Sequence, residues 1–328
     1  MKIKVAIIGY GKVGKARFKI LKKLQNLCEV SYIVDSTNFN IKNLKFSNNY
    51  YEVLKDKSIK AVFISTPNYL NYELTKKFLL NKKNVFCEKP PALNSQQMKE
   101  IIKAEKKTKM KLMYGFNHRS HTSVEYMKKI IDSGKFGNIL WMRGRYGKSV
   151  NKDFLKSWRA KKKFSGGGIL IDQGIHMLDL FIFFYGKFDK IKSSISNQYW
   201  KCDVEDNAFV ILENSKTNVS ASLHSTMTQW RHLFSLEIFM EHGYIVLNGL
   251  KTSSNSYGEE ELNIVKNRTK APSATWTDEE KLFYSIDDSW ERELSIFRDA
   301  ILEDRTIEHC GIDEAVQLME MVDQVYAQ

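Results

Sequence analysis

Residues 3–35 constrain the fold of this 328-residue chain more than any other stretch. Residues 3–8, IKVAII, form an apolar, β-branched run of buried-strand length, and they lead directly into Gly9-Tyr10-Gly11-Lys12-Val13-Gly14. Residues 16–24 carry a helical pattern, and a second apolar run, 30–34, ends in Asp35. Each glycine has a physical job: Gly9 permits the tight turn out of the strand, Gly11 lets the backbone approach a pyrophosphate, and Gly14 lets the helix lie close to the sheet. The helix N-terminus that follows offers unpaired N–H groups to the phosphates, and Lys12 and Val13 within the glycine turn are further candidates to line the cofactor. Asp35 follows the last glycine by about 20 residues, where an acid accepts hydrogen bonds from an adenosine ribose. No Arg or Lys immediately follows Asp35, so a 2′-phosphate would face a carboxylate with no adjacent cation. NAD is expected in preference to NADP. The competing reading is a glycine turn that merely packs.

Length points to two domains, and a hydrophobic share of 43% suits a packed chain rather than a disordered one. Cys28, Cys87, Cys202 and Cys310 are scattered, with neither a disulfide framework nor zinc-ligand spacing. The first strand occupies the N-terminus, so no signal peptide is expected, and no apolar run reaches the roughly 20 residues of a membrane span. The expected location is the cytoplasm, with no membrane partner. The formal charge of +13 comes from lysines dispersed along the chain. No concentrated patch in a recognisable module argues for nucleic acid, although a general positive field would attract an anionic substrate.

From residue 1 to about 118 the pattern alternates strand and helix, as in a parallel sheet covered by helices. Strands are expected at 61–65, 84–87 and 111–115, and helices at 51–54, 72–80 and 95–107, with 36–49 an irregular connection. A helix at 124–131 and a strand at 139–146 follow, then a helix from Gly166 to about 184. Strands at 191–198, 207–212, 217–225, 234–240, 244–247 and 262–266 alternate polar and apolar residues, as an antiparallel sheet with one covered face would. Residues 250–261 and 267–279 read as polar loops, and helices at 286–303 and 312–326 close the chain.

Three places carry chemistry. Thr66-Pro67-Asn68 leaves a strand at the end where parallel sheets receive ligands. In Glu88-Lys89-Pro90-Pro91, a lysine at a strand end, fixed by proline, suits a cation that stabilises a developing alkoxide. A surface lysine in a turn is the bland alternative, and whether the bond before Pro90 is cis is left open. Third, Gly166-Gly167-Gly168 leads to Asp172 and His176, four residues apart and on one face of a helix. His176 suits a base for a hydroxyl proton, and Asp172 an acid that orients substrate or imidazole. The alternative is a buried histidine–acid pair that only stabilises. Asp179 reads as structural. Nothing here requires a metal.

Together, the glycine unit, Glu88-Lys89-Pro90 and the Gly166-Gly167-Gly168…Asp172…His176 helix resemble the Gfo/Idh/MocA family of glucose–fructose oxidoreductase and inositol dehydrogenase. The resemblance implies an α/β protein with an N-terminal Rossmann domain (1–120). A C-terminal α/β domain (121–328) would carry a large open, predominantly antiparallel sheet, with helix 312–326 returning to the first domain. It implies that Lys89 contacts the reacting hydroxyl and that Asp172 and His176 are the substrate-binding acid and catalytic histidine. Asp35, Thr66, Pro67, Asn68, Glu88 and Asn117 would line the cofactor together with the glycine loop. Asn117 and Arg119 leave the first domain near the substrate, and Trp158 and Arg159 are candidates to stack on a sugar and bind an anion. Arg145 and Tyr146 are possible neighbours. The implied reaction is reversible NAD-dependent oxidation of a secondary alcohol on a sugar, cyclitol or nucleotide sugar by a homodimer or homotetramer. Alternatives are retained NAD used in an elimination, hydrolysis or epimerisation, an imine reductase, and a non-enzymatic NAD-binding protein.

Overall fold

The computed structural model describes residues 2–39, 41, 44–266 and 275–328. Residues 267–274 of the expected loop 267–279, and 40, 42 and 43 of the expected connection 36–49, lie outside the described residues. The chain divides into two compact units, one made of Met1–Asn117 with Ser289–Glu320, the other of His118–Asp288 with Met321–Gln328. Residues 289–311, expected in the second domain, lie in the first unit, and the helix expected to return to the first domain is divided, with its residues to Glu320 in the first unit and those from Met321 in the second.

The first unit begins β1 (Ile3–Ile8), α1 (Lys12–Lys23), β2 (Cys28–Val34), β3 (Lys45–Ser47), α2 (Tyr51–Lys55) and β4 (Ala61–Ile64). It continues with α3 (Asn68–Leu80), β5 (Asn84–Glu88), α4 (Ser95–Thr108) and β6 (Leu112–Gly115). The six strands form one sheet in the order β3-β2-β1-β4-β5-β6. Every pair is parallel. The order reverses between β1 and β4, and that switch point opens the crevice used by ligands in such sheets. Both strands there are almost wholly buried. This is why they read as continuous apolar runs instead of alternating ones. β3 corrects the expectation of an irregular 36–49: three residues on the sheet edge are too few to show a period. α4 starts one residue after Asn94, whose side chain accepts from the Gln97 amide at 3.0 Å and caps the helix.

The second unit contains α5 (Thr122–Asp132), β7 (Ile139–Ser149), α6 (Lys162–Ser165), α7 (Ile175–Tyr185) and strands β8 (Lys190–Ser196), β9 (Asn207–Glu213) and β10 (Ser220–Thr226). β11 (Thr228–Met240), β12 (Gly243–Asn248), β13 (Glu260–Lys266) and β14 (Glu280–Tyr284) complete its sheet. The order is β14-β13-β12-β11-β7-β10-β9-β8, antiparallel except where β7 meets β10. The expected α/β architecture, a parallel sheet followed by a large, mostly antiparallel one, is therefore present. α7 lies against β7 at Gly144, where an added Cβ would come 2.4 Å from Met177 Cγ. The other face leaves Phe209 and Ile211 of β9 half exposed. β14 was not expected: it is a five-residue edge strand with no alternation.

The continuous helix expected from Gly166 to 184 is broken. α6 ends at Gly166, in the left-handed region with φ +85°, a π-helical turn covers Leu170–Gly174, and α7 resumes at Ile175. The glycines are required by neighbours: a Cβ on Gly167 would lie 2.0 Å from Tyr326 Oη, and one on Gly168 would lie 2.0 Å from the Glu205 carbonyl oxygen. Glu205 is itself buried and accepts from the Gly168 and Leu170 amides at 2.7 and 3.0 Å and from Tyr326 Oη at 2.8 Å. Burial pushes its carboxyl above the usual range. Among the described residues one stretch, Lys162–Tyr185, is long and apolar enough to cross a bilayer, and 83% of its apolar 18-residue window is buried inside the protein, as in a core helix.

α8 (Ser289–Leu302) and α9 (Ile312–Tyr326) follow. Phe297 of α8 completes the core of the first unit, edge-on to Phe63 and Phe86 with ring centroids 5.8 and 5.7 Å away. The Tyr114 amide donates to the Cys310 carbonyl at 3.0 Å, so β6 gains a further backbone partner from the returning chain.

Candidate active site

In the first unit the three glycines face different surroundings. Gly9 has φ +90°, and a Cβ there would fall 2.6 Å from the Ser65 carbonyl oxygen at the end of β4. A Cβ on Gly14 would fall 2.0 Å from the Gly9 carbonyl oxygen. A Cβ on Gly11 would meet nothing within 4 Å. Two glycines are therefore fixed by packing, while the third borders open space where a phosphate has room. α1 begins at Lys12 with no acidic residue in its first turn, so the amides of Lys12 and Val13 are exposed to an anion without a competing carboxylate. Asp35 Oδ2 accepts from the Tyr10 amide at 2.5 Å and Oδ1 from the Thr37 amide at 2.9 Å. The acid thus pins the glycine turn to the end of β2. This cradle fits a dinucleotide.

A second set of bonds shapes the lysine turn. Buried Asn71 accepts from Thr66 Oγ1 at 3.1 Å and donates to the carbonyls of Pro90 and Glu88 at 2.8 and 3.2 Å. It ties Thr66-Pro67-Asn68 to Glu88-Lys89-Pro90, where the Lys89–Pro90 peptide is cis. Asn68 is buried as the first residue of α3. Glu88, expected at the cofactor, has its carboxylate on Arg17 Nε at 2.6 Å. Arg17 is itself buried, bonds Glu293 at 2.7 Å and lies 4.4 and 4.1 Å from the ring centroids of Phe86 and Trp290. Glu88 anchors the turn that carries Lys89. Asn117 Nδ2 donates to Ser289 Oγ at 3.0 Å.

The second unit holds Asp172 and His176. His176 is 5% exposed at the start of α7, and its ring stacks on His118 with centroids 3.9 Å apart and 13° between planes. Asp172, on the π turn, pairs with Lys148 and has Arg159 Nε at 3.9 Å. π turns inside helices concentrate at functional sites, because they re-aim a side chain. The Arg159 guanidinium lies 4.4 Å from the Trp158 ring centroid, so this pair braces itself beside Asp172. Arg159 remains 42% exposed. Tyr146 meets Tyr257, and burial holds both phenols above the ordinary range.

Arg119, expected near the substrate, is paired with an acid in this structure. Its side chain is buried and bonds Asp179 through Nε at 2.8 Å and Nη2 at 2.6 Å. That fork is consumed by a structural acid. Sequence reasoning missed Asn71, Arg17, His118 and Lys148. A signal did exist for Lys148: along β7, Met142, Gly144 and Tyr146 form the buried alternating row, and Lys148 continues it. Asn71 and Arg17 read simply as helix residues, because their partners are distant in sequence.

Residues 3–116 match the oxidoreductase family with an NAD-binding Rossmann fold, and residues 124–246 match the GFO/IDH/MocA C-terminal domain. The chain is 31% identical over 152 residues to levoglucosan dehydrogenase of Pseudarthrobacter phenanthrenivorans, a match covering 46% of this chain and 39% of that protein. It is 29% identical over 206 residues to 2,7-anhydro-N-acetylneuraminate hydratase of Escherichia coli K12, covering 61% of this chain and 52% of that one. The matched stretches thus span about half or less of these relatives' length. A structure of levoglucosan dehydrogenase in complex with NADH and levoglucosan superposes with a TM-score of 0.87 at 21% identity, covering 100% of this chain and 97% of the other.

Proposed function

The chain belongs to the Gfo/Idh/MocA family of oxidoreductases, and on that premise we propose that it oxidises a secondary alcohol on a sugar, cyclitol or nucleotide sugar with NAD, and reduces the ketone in the reverse direction. The observation that supports this most is the buried His176 stacked beside a π turn that carries a cation-paired Asp172. Bound NAD supplies the acceptor for the carbinol hydrogen and its electron pair. Around it, the amides of Lys12 and Val13 in the Gly9–Gly14 turn take the pyrophosphate, and Asp35 takes the ribose hydroxyls. Thr66, Pro67, Asn68 and Asn117 flank the same cofactor. Lys89 donates a hydrogen bond to the reacting oxygen and offsets its developing negative charge. His176 accepts the hydroxyl proton, and returns it in reduction. Asp172, held by Lys148, accepts from a neighbouring substrate hydroxyl.

We read the substrate as anionic, such as a nucleotide sugar or uronic acid. Arg159 is half exposed beside Asp172, and its planar fork suits a carboxylate or phosphate. A panel of polyols, free sugars, uronic acids and nucleotide sugars tests this by absorbance of the reduced nicotinamide. One anionic class should respond, and a response from neutral polyols alone would remove Arg159 from substrate binding. Asp35→Ala should raise KM for NAD by about 10-fold or more, the worth of a hydrogen bond to a charged group, and narrow the preference over NADP. Parallel titrations with both cofactors check it.

Similarity to a protein named as a hydratase favours one second reading, in which NAD stays bound and is used transiently. Cofactor that survives purification, with no net NADH formed from any alcohol, would select it. We also propose a homodimer or homotetramer assembled through the exposed face at Phe209 and Ile211, tested by sedimentation. Cytoplasmic location accords with four free cysteines.

A further inference from the structure

We propose that His118 is a positioning residue for His176, clamping its ring by face-to-face stacking and forming with it a single titrating pair. This rests on the reading of His176 as the base. His118 is 4% exposed, and its Nε2 lies 2.9 Å from Tyr146 Oη, which fixes the plane of its ring. Tyr146 is bonded in turn to Tyr257, and Phe234 of β11 closes the edge of the His118 ring at 5.9 Å. With His118 immobile and 3.9 Å from it, the His176 ring cannot tilt away from the direction in which it must receive a proton.

Charge adds a second consequence. When His176 accepts the hydroxyl proton it becomes an imidazolium lying flat against His118. A neutral ring tolerates that neighbour, whereas a second proton on His118 would place two like charges at stacking distance. Like charges so close cannot both be favoured, so protons leave the two rings in coupled steps. The groups around the pair are Tyr146 from β7, Tyr257 and Asp172 with its partner Lys148, and His121, whose ring lies 5.9 Å from His118. His121 is engaged by Glu260 at 3.1 Å, with Asp287 at 3.9 Å.

His118→Phe preserves a flat aromatic neighbour and removes the second titrating ring. The test is an NMR titration of the seven histidine side chains in the NAD-saturated protein, with His176 assigned by loss of its signal in His176→Asn. In the wild type, His118 and His176 should titrate in two coupled steps. In His118→Phe, His176 should titrate in one step and at higher pH, because the like charge beside it is gone. The same titration of His176 in both proteins would overturn the coupling. Tyr146→Phe, which leaves the ring and drops the hydroxyl, should lower kcat several-fold with KM for NAD unchanged; wild-type kinetics would overturn the clamp. His176→Asn with wild-type turnover would instead defeat the assignment of His176 as base, whichever way the titration falls.

Discussion

His176→Asn is expected to lower kcat by about 10²–10⁴-fold while NAD binding survives, the loss that follows removal of a positioned general base. Asparagine is smaller and polar, so it fits the site without introducing a clash. It cannot take a proton at neutral pH, and the hydroxyl must then lose its proton to water in a site where position 176 is 5% exposed. The cofactor cradle belongs to the other compact unit, built from Gly9, Gly11, Gly14 and Asp35, and the substitution touches none of it. Steady-state turnover beside a direct NAD-binding titration separates the two effects. Weakened NAD binding with proportionate loss of turnover would mean that the variant had damaged the fold and not the proton transfer.

Arg119→Ala should cost about 3–5 kcal/mol of stability, because it leaves a buried carboxylate without its cation. Arg119 and Asp179 are 1% and 2% exposed, and the pair makes two bonds at 2.8 and 2.6 Å. The guanidinium also lies 5.0 Å from the Phe183 ring centroid, so alanine removes packing together with charge. Urea unfolding should show a lower midpoint. Adding Asp179→Ala should recover part of the loss, since the stranded charge then disappears. A wild-type midpoint in the single variant would mean that water or a neighbour satisfies Asp179, and would reopen a substrate role for Arg119.

These two residues mark how much of the protein was legible in its sequence. The cofactor cradle was readable because strand, glycine turn, helix and acid are contiguous, and each carries a local signature. Asp172 and His176 stood out in the sequence because four residues separate them, although a π turn replaces the regular helix expected between them. Their surroundings were not. Lys148 reaches Asp172 from β7, His118 reaches His176 from the turn before α5, and Glu205 and Tyr326 dictate the glycines at 167 and 168 from far along the chain. Such contacts are made by the tertiary fold and leave no spacing in the sequence. Arg119 is a further case: an arginine beside a motif invites a ligand role, and its pairing with buried Asp179 left no mark in the sequence. Short edge strands such as β3 and β14 were missed for a simpler reason, since a few residues at a sheet margin need neither alternation nor a strong apolar run.

The most direct measurement uses the alcohol that responds in the panel, deuterated at its carbinol carbon, with mass analysis of the nicotinamide product. Direct transfer predicts one deuterium at C4 of the reduced ring, from the wild type and from the residual turnover of His176→Asn alike. Reduced cofactor without the label, or label released to solvent, would contradict transfer between the substrate carbon and the nicotinamide.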